Sequence, residues 1–67
     1  MSANTKTGDL VKPAKNTHAD RFYHGTTGLV LKEDWRKNAP LFVMWKGNPR
    51  YSYWHSTNEL VVVSESR

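Results

Sequence analysis

The stretch that decides the fold is LFVMWKGNPRYSYW, Leu41 to Trp54. Its first five residues are β-branched or bulky apolar residues between Pro40 and Gly47, the strongest strand signal in the chain. Alternation puts Leu41, Val43 and Trp45 on one face and Phe42 and Met44 on the other. Both faces are apolar, so the strand is expected to be central or covered on both sides. KGNPR then reads as a hairpin loop. YSYW follows as a second strand, with Tyr51 and Tyr53 on one face and Ser52 and Trp54 on the other. Trp45 follows the inward alternation and is expected in the core. The next strand leaves two alternatives: either Trp54 or the two tyrosines point away from the interior.

Outward from this hairpin, the same pattern recurs. GDLV (Gly8–Val11) predicts a short first strand closed by Pro13. GLVLKE (Gly28–Glu33) predicts a second, with RKNAP (Arg36–Pro40) as the turn into the third. HSTN (His55–Asn58) predicts a single tight 3₁₀ turn, and ELVVV (Glu59–Val63) the closing strand. Residues 14–27, AKNTHADRFYHGTT, are polar and without clear period and read as a long loop. Loops of that length in a small domain are often functional. The expected organisation is a flexible tail over residues 1–7, one domain over 8–63 and a second tail over 64–67.

The order of these pieces resembles the SH3-like small β-barrels, the group that includes Tudor and KOW-type modules. The resemblance rests on GDLV, GLVLKE, LFVMW, YSYW and the HSTNEL turn leading into ELVVV. It spans roughly residues 8–63. It implies an all-β, five-stranded SH3-like barrel with a long first loop and a short 3₁₀ turn before the last strand. It also implies that Val11, Gly28, Val30, Val43, Trp45, Leu60 and Val62 point inward. Gly28 would let another strand cross closely. More narrowly, the pattern is similar to short uncharacterised proteins of tailed, especially marine, bacteriophages. That implies a virion or accessory protein, acting in the virion or the cytoplasm.

Composition narrows the chemistry. With 67 residues and no cysteine, the chain has neither a disulfide framework nor a thiolate metal site. Its eight aromatic residues supply bulk in their place. No apolar run approaches the roughly 20 residues of a membrane span, and MSANTKTGD lacks the apolar core of a signal peptide. The formal charge is +4, with seven Lys or Arg against four acids in residues 1–37. A basic balance favours acidic partners, nucleic acid among them.

No catalytic constellation is recognisable: Ser, His and Asp occur without a nucleophile elbow, and GTTG (Gly25–Gly28) is a weak phosphate-loop signal. Asp9 and Glu59 read as structural. No cofactor is expected. His18 and His24, with five residues between them in a loop with Asp20, fall within the loosest zinc spacing, but no Cys follows and the chain has only three histidines, so His18, His24 and His55 read as surface residues. The sequence therefore predicts a docking module for another protein. Tyr23 and Trp35 in the loops would act with Arg50, Tyr51 and Tyr53 beside the hairpin, because aromatics and Arg are the usual interface anchors. The alternative is a nucleic-acid surface built from Lys12, Lys15, Arg21, Lys46 and Arg50, with aromatic rings for stacking. Self-association through an uncovered strand edge is a third reading.

Overall fold

A computed structural model describes residues 5–64. Five antiparallel strands form a single sheet: β1 (Leu10–Pro13), β2 (Gly28–Glu33), β3 (Leu41–Trp45), β4 (Ser52–His55) and β5 (Leu60–Ser64). Their order across the sheet is β4-β3-β2-β1-β5, so β3 is internal as its two apolar faces predict. The ladder does not close into a barrel, because β4 and β5 stand at opposite edges. The boundaries shift slightly from expectation. The first strand runs on through Pro13, Tyr51 leaves the fourth strand for a 3₁₀ turn (Pro49–Tyr51), and Glu59 belongs to the 3₁₀ turn Thr57–Glu59.

Register explains the core. Val43 lies between Val30 and Tyr53, and Leu41 opposite His55, while Val11 pairs with Val62 toward the other edge of the sheet. Val11, Val30, Leu41, Val43, Trp45 and Leu60 are all buried, with Val62 packed against them. The expected inward set is therefore correct, and Leu41 and Tyr23 complete it. Gly28 pairs with Trp45. A Cβ there would overlap Val43 Cγ1 and lie 2.9 Å from Trp45 Cε3. The close neighbours are thus two side chains of the adjacent strand, and not the crossing strand that was expected. At the β3–β4 turn, Asn48 N–H donates to Trp45 O, with Lys46 and Gly47 both at positive φ (59° and 66°). That pair of left-handed residues matches the twist of a hairpin.

The long loop over residues 14–27 is a correction. It contains a helix, α1, at His18–Tyr23. The Thr17 side chain accepts from Asp20 N–H and donates to Ala14 O. Gly25, at φ 80°, turns the chain away after the helix. Six residues cannot hold a helix alone, and Ala19 and Tyr23 fix it by burial on one face. The expected tail over 1–7 lies partly outside the described residues. Within them, Thr5 is buried, and Thr7 donates from its N–H and its hydroxyl to Glu33 Oε2, at 2.7 and 2.8 Å. Of the second tail, Ser64 ends β5 and the rest lies outside the described residues.

Candidate functional site

Where α1 meets β4, the side chains leave a groove of about 440 Å³. Helical spacing turns Tyr23 inward and leaves its neighbour Phe22 outside. Tyr23 is only 7% exposed, against 62% for Phe22. The Tyr23 ring stacks on the Trp45 indole, with centroids 4.7 Å apart and planes within 6°. Burial raises the Tyr23 phenol above its ordinary pKa. Tyr23 therefore belongs to the floor of the groove and to the core, a correction to its expected place on an exposed loop.

Tyr53 answers the alternatives left by YSYW. Its register with Val43 puts it on the core side of the sheet, yet it remains 59% exposed because β4 is an edge strand. Its ring stands 6.4 Å from that of Tyr23. Trp54 takes the opposite face and packs on Phe42, centroids 5.0 Å apart. Phe22 and Tyr53 thus flank the groove, with His18 edge-on to Phe22 at 5.0 Å. Asn38 and Ser56 supply polar groups at its margin.

His55 is the other correction: it is buried, at 3% exposure, where a surface histidine was expected. The Trp45 indole N–H donates to its Nε2 at 3.0 Å, and its Nδ1 lies 3.0 Å from Glu59 Oε1. An indole nitrogen can only donate, so Nε2 is an acceptor. The proton then resides on Nδ1 and is donated to Glu59. Burial pulls the His55 pKa below its ordinary value, and the Glu59 hydrogen bond offsets part of this. Glu59 also accepts from Ser56 N–H, closing the 3₁₀ turn, so its structural reading stands. Asp9 is likewise buried and accepts from Lys6 N–H at 2.9 Å.

The remaining expected anchors do not join this groove. Trp35 is half exposed, but its indole N–H donates to Glu33 Oε1 at 2.9 Å beside the Thr7 segment. Tyr51 is 43% exposed on the hairpin, with Lys46 Nζ 5.1 Å from its ring centre and the exposed Arg50 preceding it. Of the expected protein-binding set, then, only Tyr23 and Tyr53 meet, and of those two only Tyr53 is accessible.

The expected nucleic-acid set also divides. Lys12 and Lys15 border a second, more open groove of about 630 Å³. Asp20 and His24 share that groove, with His24 Nδ1 2.9 Å from Asp20 Oδ1. The hydrogen bond from His24 lowers the Asp20 pKa, which keeps a negative charge in the groove that the two lysines border. Lys46 and Arg50 sit on the β3–β4 hairpin, and Arg21 is exposed on α1 and borders neither groove. Among the described residues, no group of three or more His, Cys, Asp or Glu is gathered as a metal would require.

Phe22 was not singled out by sequence, and His18 and His55 were read there only as surface histidines, yet all three line the first groove. The signal existed in THADRFY, where Thr17 and Asp20 have the Thr-x-x-Asp spacing of a helix start. No family model, curated protein or solved structure matches the chain.

Proposed function

We propose that this chain is a non-enzymatic docking module that takes an apolar side chain of a partner protein into the groove between α1 and β4. The observation that carries this reading is the pair Phe22 and Tyr53, 62% and 59% exposed, on either side of a groove of about 440 Å³. Rings this large, held in place but left wet, gain when a partner removes them from water. Aromatic anchors beside a formed cleft are what protein interfaces use most heavily. Tyr23 stacked on Trp45 makes a rigid floor, so little ordering is left to oppose binding.

In this reading the fold is an open relative of the SH3-like barrel, with α1 in the position of the long first loop. The antiparallel strand order and the 3₁₀ turn before β5 support it. The resemblance to short phage proteins extends the proposal to a virion or accessory protein of a bacteriophage. Its partner would then be a phage or host protein met in the particle or the cytoplasm.

The test is affinity capture by the tagged protein, with and without nuclease, repeated with Phe22→Ala and Tyr53→Ala. The reading expects a protein that survives nuclease and is lost from both variants while each keeps its melting temperature. Capture that is equally strong with both variants would remove the groove from the function.

A further inference from the structure

The sheet has a second face, opposite the core, and its chemistry is different. Register places Lys32, Phe42 and Trp54 in one row across β2, β3 and β4. The next row holds Leu10, Leu29, Met44 and Ser52. Lys12 stands on the same face of β1, paired with Val61 of β5. None of these residues carries a carboxylate.

The two acids that end and follow β2, Glu33 and Asp34, are engaged elsewhere. Glu33 pairs with Leu41 on the core side and accepts from Thr7 and Trp35. Asp34 is bound by the Arg36 guanidinium at 3.0 Å. Two lysines lie against the half-buried rings of this face instead. Lys37 Nζ is 4.8 Å from the centre of the Trp54 ring, and Lys32 Nζ is 5.6 Å from that of Phe42. The face therefore joins the aromatic planes of Trp54 and Phe42 to the cations Lys37 and Lys32, while Lys12, on β1 two strands across from Phe42, also borders the groove that holds Asp20.

The geometry points to this outer face as a binding surface for single-stranded nucleic acid. Bases stack on Trp54 and Phe42, and phosphates are met by Lys32, Lys37 and Lys12. Every base offers a flat face, so such a surface accepts strands with little regard to sequence. A duplex hides its bases and offers only phosphates. The protein's net charge of +4 draws the strand in. The three lysines set the salt dependence: one released counterion each gives a slope of log affinity against log salt of about −2 on a single strand. Raising salt from 50 to 200 mM then weakens binding by roughly twentyfold.

The experiment is anisotropy of a labelled 20-nucleotide oligothymidine titrated with the full chain, with tryptophan fluorescence followed in parallel. The expected result is saturable binding with that slope and quenching of tryptophan emission on stacking. Lys32→Ala and Lys37→Ala should each make the slope shallower by about 0.7. Trp54→Leu should weaken binding roughly tenfold or more and abolish most of the quench. The lysine variants lie on the surface and keep the test decisive should Trp54→Leu fail to fold. Absence of binding at 50 mM salt, equal affinity for the matching duplex, or lysine variants that bind like the parent would each overturn the proposal. So would lysine-dependent binding that ignores a folded Trp54→Leu, since the rings would then play no part.

Discussion

His55 shows how one ring couples core and groove. Its Nε2 accepts from Trp45 and its Nδ1 faces Glu59, so the neutral form satisfies every partner. Protonation would place a second N–H against the indole N–H, and a buried donor left without an acceptor costs about 1–3 kcal/mol. The His55 pKa is therefore lowered in the fold, chiefly by burial. The unfolded chain takes up this proton from about pH 6.5 downward, before the folded one does. Stability from His55 is thus complete above about pH 6.5, declines as pH falls below it, and levels off once the folded form also protonates. Melting curves between pH 8 and pH 5 should show this decline, and His55→Gln, which does not titrate, should remove it from that window. A parent whose melting temperature is flat across the window would refute the assignment of Nε2 as a fixed acceptor. Gly28 is the other residue on which the sheet depends. A methyl there overlaps Val43 Cγ1 and crowds the Trp45 indole. Overpacking of that kind costs about 1–3 kcal/mol. Urea unfolding of Gly28→Ala should show a loss in that range, and a loss below about 0.5 kcal/mol would mean the indole can move aside.

At the scale of elements, the strands were legible and the helix was not, for a physical reason. A strand such as LFVMW declares itself by β-branched bulk and by Pro40 and Gly47 at its ends. The helix α1 buries only Ala19 and Tyr23, one contact per turn, in six residues. Such a segment is too short for a helical period to stand out from a polar loop. What marks it is the cap, and Thr17 fills that role through Asp20 N–H and Ala14 O. Misreading the element misread the residues on it. Tyr23 was expected outside and lies against Trp45, while Phe22, one position earlier, is the exposed ring. His55 escaped for a related reason. Its spacing to Glu59 looks like any polar turn until the 3₁₀ geometry brings the two together. The hierarchy within α1 can be measured. Thr17→Ala should destabilise by about 1 kcal/mol, the typical worth of a cap. Tyr23→Ala removes a stacked core ring and should cost about 3–5 kcal/mol. Phe22→Ala should stay within about 0.5 kcal/mol of the parent, as surface changes do. Equal losses for Tyr23→Ala and Phe22→Ala would contradict the orientation of the helix.

For the whole molecule, the decisive feature is that one sheet with apolar residues on both faces ends in two unpaired edges. Among the described residues, β4 pairs only with β3, and β5 only with β1. The β5 edge is the more exposed liability. Leu60–Ser64 carries no charge and no proline, and Val61 and Val63 are 43% and 54% exposed. An edge of this kind invites a further strand, and natural sheets usually guard it with lysine, proline or a bulge. Here the bulge lies between Leu10 and Val11 of the partner strand, where it shifts the register of β1 against β5 and leaves the outer side of β5 bare. What opposes association is the net charge of +4, which keeps copies apart at low ionic strength. Salt at 0.15 M shortens the reach of that repulsion to about 8 Å, while pairing along an edge works at contact distance and is little screened. Self-association should therefore grow as salt is raised, the reverse of the oligonucleotide binding above. Sedimentation over a range of protein concentrations at 20 and 300 mM salt would show the trend. Val61→Lys and Val63→Lys put a guard charge on the edge and should hold the protein monomeric at both salts with little change in stability. An assembly that grows with salt and persists in both variants would place the contact elsewhere, on the outer face or at β4.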